Sequence, residues 1–333
     1  YATAAAFAYG ARIYAGQPQL AAYAADLKRR AVAAWTWAQA HPDVTFYNND
    51  ADHGSEGVGA GQQETDDHGR ATKALAAAVY LYEATGETVY RDYVDAHYRE
   101  VHLLSQSINL DFDYGDSAML LHYAALPGAT PKVATAIRKA FVDGFDSGLG
   151  WGSQAADPYG AWISAYVWGS SATKSNHGNI FADEARYDFS PKGAKPAMDA
   201  AAGYIHYIHG VNPLGKVYLS NMKALGAENS VDRFYHTWFA PGGPWDSASG
   251  SKYGPPPGFL VGGANPSYGW DSRCPQVSPQ CGTQLLSPPA GQPDQKAYAD
   301  FNQSWPVNSW EVTENSGAYQ TAYIRLLARF VRK

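Results

Sequence analysis

The stretch Asp300-Phe-Asn-Gln-Ser-Trp305-Pro-Val-Asn-Ser-Trp310-Glu-Val-Thr-Glu314-Asn-Ser316 sets two tryptophans and two glutamates immediately ahead of the last apolar segment of the chain. Beyond it Tyr319, Ala322, Tyr323, Leu326, Leu327 and Phe330 recur at three- and four-residue spacing, the pattern of one buried helix face. An anchored helix holds its N-terminal approach firmly, and Glu314 stands at that approach. Two readings of Glu314 fit these residues. Beside the indoles of Trp305 and Trp310 its carboxyl is partly desolvated, which favours the neutral form and raises its pKa, as a general acid near neutral pH requires. Alternatively Glu314 complements the helix dipole, and Trp305 and Trp310 are core.

Working outward, the periodicity is helical nearly everywhere, and the helices are joined by long Gly-, Pro- and aromatic-rich loops, an all-α pattern with loop-borne function. Residues 4–15 and 19–40 read as an antiparallel hairpin, with Leu20, Tyr23, Leu27, Ala34, Trp35 and Ala38 on one stripe of the second helix. Residues 71–85 form an alanine-rich helix ended by Gly86 at the C-cap position. Residues 88–107 read as its partner, with His97 and His102 as helix-face residues rather than ligands. An acidic aromatic turn at 111–116 follows, then helices at 117–125, 132–145 and 195–209, and a turn at 212–215. The 241–293 stretch has little regular pattern, and a loop that long inside a compact domain is usually functional. Tyr268 and Trp270 within it are candidate ligand contacts.

Four stretches carry a family resemblance in the right order. The segment 305–316, followed by Tyr-Gln-Thr-Ala-Tyr at 319–323, resembles the C-terminal signature of glycoside hydrolase family 9. Trp168-Gly-Ser-Ser-Ala-Thr-Lys-Ser-Asn176, Gly210-Val-Asn-Pro-Leu-Gly215 and Gly258-Phe-Leu-Val-Gly-Gly-Ala-Asn265 agree with it. The resemblance implies a six-hairpin (α/α)6 barrel and inverting hydrolysis of β-1,4-glucosidic bonds in cellulose, cellodextrins or related β-glucans. It makes Glu314 the proton donor, gives Trp168 a sugar subsite, and matches His236 to a histidine that hydrogen-bonds substrate hydroxyls. Tyr235, Trp238 and Trp310 flank these positions and are further candidate sugar contacts, as is Tyr114 or Phe112 where the family places an aromatic platform. The family's arginine beyond the histidine is replaced here by Trp238 and Phe239, with Arg233 as a candidate substitute.

Inversion also needs a base on the opposite face of the sugar. The family base lies in an Asp-Ala-Gly-Asp motif that does not occur in these 333 residues. An N-terminal portion of the domain is therefore expected to lie outside this sequence, and the chain alone is expected to hydrolyse cellodextrins poorly. Acids inside the chain that stand as candidates for the base are Asp50, Asp52, Asp66 and Asp67. No cofactor is expected. The 44–69 loop has enough carboxylates and histidines to suit calcium, but its spacing is not that of an EF-hand. Thr72-Lys73 stands where the family holds calcium with an Asp-Glu pair, so metal is not supported there. The rival readings are an exo-acting cellodextrinase or glucosaminidase of the same family, and a non-hydrolytic glucan-binding protein.

A formal charge of −6 offers no basic face, so nucleic acid and anionic membranes are not expected partners. No apolar run reaches the ~18 residues of a membrane span. Ten Trp and 24 Tyr suit a neutral sugar ligand, because flat amphipathic rings stack on the apolar faces of sugars. Cys274 and Cys281, with six residues between them in a Pro-, Gly- and Ser-rich loop, read as a disulfide and favour an exported protein, secreted or periplasmic. A monomer is expected.

Overall fold

The computed structural model describes residues 1–42, 44, 52, 65–107, 111–146, 150–270 and 285–331. They fall into two compact units, Tyr1–Ser147 and Gly148–Lys333.

In the first unit α1 (Ala2–Ala15) and α2 (Ala21–Ala40) form the expected hairpin across a 3-10 turn at Pro18–Leu20. Tyr14 meets Tyr23 near the connection, and Gln39 donates to the Tyr1 hydroxyl at the far end, so the helices run antiparallel. Ala4, Ala8 and Ala11 form the buried stripe of α1, whose small side chains let the two backbones approach closely. The α2 stripe is Ala24, Leu27, Ala31, Trp35 and Ala38. Tyr23, expected on it, is 52% exposed because it lies outside against Tyr14.

Helix α3 (Asp67–Thr85) begins one turn before the alanine-rich run, because the Asp66 side chain caps it by accepting from the Gly69 N–H. It ends as expected: Gly86 takes the left-handed conformation at φ 75° and donates its N–H to the Tyr82 carbonyl. Residues 88–107 are not one helix. α4 (Thr88–His97) passes through a 3-10 turn, Tyr98–Glu100, to α5 (His102–Ser105), and extended Val101 breaks the run so that it and Leu103 enter the core. α6 (Tyr114–Ala124) begins earlier than expected and takes in part of the acidic aromatic turn. α7 (Pro131–Asp146) buries Val133, Ile137, Phe141 and Phe145 at a spacing of four, and Arg138 donates to the Ala124 carbonyl at the end of α6.

The second unit holds α8 (Trp151–Ala156), α9 (Ser170–Arg186), α10 (Ala194–Ile208), strands β1 (Val217–Ser220) and β2 (Ser230–Val231), α11 (Trp310–Thr313) and α12 (Gly317–Leu327). Helix α9 packs against α10 and α12 at the centre of this unit. No apolar stripe announces it, because its buried positions are largely polar. They are satisfied instead by partners: Asn179 donates to the Ala322 carbonyl, and Asp183 pairs with Arg329 at 2.8 Å and Arg325 at 3.6 Å. Buried Lys174 donates to the Tyr166 hydroxyl and lies 3.8 Å above the Tyr207 ring. On α10 the buried face is Ala197, Ala201, Tyr204, Ile205 and Ile208, leaving Met198 and Ala202 of the expected stripe partly exposed. The parallel β1–β2 pair is an addition to the all-α expectation. Among the described residues no helix is long and apolar enough to cross a membrane.

Candidate active site

Glu314 is fixed by its backbone. The four-residue helix α11 ends at it, and two neighbouring strands of chain tie down that end. Tyr235 donates its N–H to the Thr313 carbonyl at 3.1 Å, and Gly263 donates to the Val312 carbonyl at 2.8 Å. Buried Thr313 spends its hydroxyl on the carbonyls of Phe301 and Ser309, so α11 cannot rotate freely. The 258–265 motif is the mortar. Asn265 donates to the Glu311 carbonyl, the Gly262 carbonyl accepts from the N–H of Ser171, and the Ala264 carbonyl accepts from the hydroxyl of Ser170. Through these bonds the start of α9 and the end of α11 become one rigid piece.

Glycine at 263 is required twice over. Its φ of 98° is one that L side chains rarely adopt, and a Cβ there would stand 2.3 Å from the Ser171 hydroxyl and 2.9 Å from the Ser171 amide nitrogen. Gly263→Ala is therefore expected to cost about 3 kcal/mol, the scale of core overpacking with added backbone strain. Urea unfolding checks this, and a loss under about 0.5 kcal/mol would contradict the packing described.

The carboxyl of Glu314 is partly buried, and burial pushes its pKa above the usual carboxylate range. The Trp168 indole opposes this by donating its Nε1–H to Oε2 at 3.0 Å, and charge on His236 acts in the same direction. An indole nitrogen only donates, so Oε2 is the acceptor of this bond and Oε1 takes no part in it. Trp168 stands directly before Gly169, at φ 89° the N-cap of α9, and a Cβ on Gly169 would come within 2.9 Å of the Tyr319 hydroxyl on α12. Burial, with the nearby Glu314 carboxylate, pushes the Tyr319 phenol up, so it stays neutral. Trp168→Phe keeps the ring and removes the donor. Loss of a bond to the charged form raises a carboxyl's pKa, so the Glu314 titration midpoint, followed by carbon-13 NMR of the carboxyl, is expected to move to higher pH. An unmoved midpoint would show that the indole does not tune this acid.

Around Glu314 the structure gathers most of the anticipated residues. His236 stacks on Trp238 at 5.8 Å, and Trp238 is 75% exposed while Trp168 is 49% exposed, so both indoles offer ring surface to a ligand. Tyr235 meets Trp310 edge-on at 5.4 Å and pairs backbone to backbone with Glu314. The indole bonded to Glu314 is thus Trp168, whereas Trp305 and Trp310 were the expected neighbours; the residue that matters arrives from 146 positions upstream. Glu311 accepts from the Gly269 N–H instead. Arg233 turns to Asp246, at 3.4 Å.

Two expected sugar contacts are corrected. Tyr114 is 2% exposed in the first turn of α6, and Tyr268 is 4% exposed with its hydroxyl on the Val307 carbonyl, so both rings belong to the core. Phe112, the alternative to Tyr114, is 65% exposed. Asp66 and Asp67 serve the start of α3, as its cap and as the partner of Arg70. Cys274, Cys281, Asp50 and most of the 44–69 loop lie outside the described residues. Among the described residues no group of three or more His, Cys, Asp and Glu is placed to hold a metal ion.

Residues 1–326 match the signature of glycosyl hydrolase family 9. The chain is 27% identical over 330 residues to a cellulose 1,4-beta-cellobiosidase of Acetivibrio thermocellus, covering 91% of this chain and 33% of that protein. It is 25% identical over 318 residues to a xyloglucan-specific endo-beta-1,4-glucanase of Bacteroides ovatus, covering 94% of this chain and 48% of the relative. Among solved structures, a family 9 endoglucanase superposes with a TM-score of 0.71 at 21% identity, over 99% of this chain and 53% of its own. The fold is therefore that of the (α/α)6 family 9 enzymes, and the chain spans about half or less of the relatives it matches. With almost every residue matched by the family signature, the chain belongs to glycosyl hydrolase family 9.

Proposed function

We propose that this chain supplies the general-acid side of an inverting glycoside hydrolase acting on β-1,4-linked glucans. The observation that carries the reading is Glu314 itself: a rigidly mounted, partly buried carboxyl, shifted toward its neutral form and oriented by an indole on one oxygen. A raised pKa keeps a proton available near neutral pH, and the carboxyl delivers it to the glycosidic oxygen as the bond to the anomeric carbon breaks. His236 stands ready to hydrogen-bond sugar hydroxyls, and the exposed faces of Trp168 and Trp238 offer stacking surface to the rings on either side. Water then attacks from the opposite face, activated by a second carboxylate roughly 6.5–9.5 Å from the first.

Fresh product from cellotetraose, released by the chain joined to a segment that supplies the base and followed by proton NMR, tests the stereochemistry. Inversion predicts that the α-anomer appears first and then mutarotates. First appearance of the β-anomer would mean retention and would overturn the reading.

A further inference from the structure

We propose that Lys174 is a positioning residue for the reaction: it ties the 161–168 segment to α9 so that the Trp168 indole meets the Glu314 carboxyl. Its bearing on catalysis rests on the reading of Glu314 as the acid; the tether itself does not. Residues 161–168 belong to neither helix nor strand, and Trp168 is half-exposed, so packing alone does not fix its indole. Downstream the chain is anchored where the Ser170 hydroxyl and the Ser171 N–H donate to the carbonyls of Ala264 and Gly262. Upstream it is held by side chains. The Asp157 carboxylate accepts from the N–H groups of Tyr159 and Ala161, and the Tyr204 hydroxyl of α10 donates to the Trp162 carbonyl. Lys174 donates to the Ala161 carbonyl and, at 2.7 Å, to the Tyr166 hydroxyl, two residues before Trp168.

A helical side chain leans toward the N-terminus of its helix, which brings the Lys174 ammonium back over the turn where α9 begins. Tyr166, Trp168, Gly169 and the first turn of α9 are thereby closed into a ring whose clasp is the bond from Lys174 to Tyr166. A lysine is a costly way to fill this space. Lys174 is buried, and an apolar chain of similar length would avoid the desolvation of a cation. What an apolar chain lacks is donors. An ammonium has three, and here the Ala161 carbonyl, the Tyr166 hydroxyl and the face of the Tyr207 ring, 3.8 Å away, surround it. One point on a rigid helix thus fixes two places in a segment that has no ladder of its own.

Nitrogen-15 NMR of the whole chain tests this, with the Trp168 indole N–H assigned by its loss in Trp168→Phe. Because that N–H is bonded to Oε2, its signal is expected to follow the titration of Glu314 in the native chain. In Lys174→Met the signal is expected to lose at least about half of its pH-dependent shift, and the Glu314 midpoint, read by carbon-13 NMR, to move to higher pH. Adding Trp168→Phe to Lys174→Met is expected to move the midpoint no further than Trp168→Phe does alone, since both act through one bond. Tyr166→Phe keeps the ring and leaves the ammonium in place, so it repeats these changes only if the tether acts rather than the charge, and it serves where Lys174→Met does not fold. Shifts that add in the double variant, an indole signal that follows Glu314 undiminished in either single variant, or a native signal that does not follow it at all would overturn the proposal. Neither readout needs turnover, so a failure here leaves the role of Glu314 as the acid to be decided by Glu314→Gln.

Discussion

In an enzyme that also supplies the base, Glu314→Gln is expected to lower the hydrolysis of cellotetraose by about a hundred- to ten-thousand-fold, the usual worth of general acid catalysis, while cello-oligosaccharide affinity stays within a few fold. The amide keeps the shape of the side chain and accepts the Trp168 N–H through its oxygen, so the site should not collapse. What it cannot do is release a proton to the leaving oxygen. Glu311→Gln is the internal control: Glu311 accepts from the Gly269 backbone rather than facing the indole, so its loss should be far smaller. The pH dependence has a fixed sign. The acid works only while protonated, and burial raises its pKa, so the alkaline limb of kcat/KM lies above the usual carboxylate range.

Asp300→Ala is expected to cost about 3–5 kcal/mol in urea unfolding, because it strands a buried ammonium. Lys216 is 9% exposed and pairs with Asp300 while donating also to the Ser230 carbonyl. Asp300 further accepts from the Tyr298 hydroxyl at 2.9 Å and from the Asp232 N–H at 3.0 Å. The pair thus fastens β1, β2 and the start of the segment that carries Tyr235 and His236. Replacing both partners with apolar residues, Lys216→Met with Asp300→Leu, should recover part of the loss, since no charge is then left buried. A single-site loss below about 1 kcal/mol would show the pair to be better hydrated than its burial indicates.

How far the sequence could be read depended on what each residue packs against. The α1–α2 hairpin and the cap at Gly86 were legible because the spacing of a helix stripe and a lone glycine act locally. α9 was not, since its burial is satisfied by Asn179, Asp183 and Lys174 finding remote partners, and hydrophobic periodicity cannot register that. Glu314 was legible through its motif, and its raised pKa follows from desolvation as expected. The identity of its indole partner was not, because Trp168 reaches it only through the junction of Gly262 and Gly263 with Ser170 and Ser171. Tyr114 and Tyr268 illustrate the opposite error: an aromatic in a loop-like stretch looks available to a ligand until the fold buries it.

The most direct test of Glu314 as the proton donor is the leaving-group dependence of Glu314→Gln in an enzyme that also supplies the base. A dinitrophenyl cellobioside departs without protonation, whereas the alcohol released from cellotetraose needs a proton. The account predicts a rate loss of at least about a hundredfold on cellotetraose that shrinks to within about tenfold on the dinitrophenyl substrate. Equal losses on both substrates, or none on either, would contradict it.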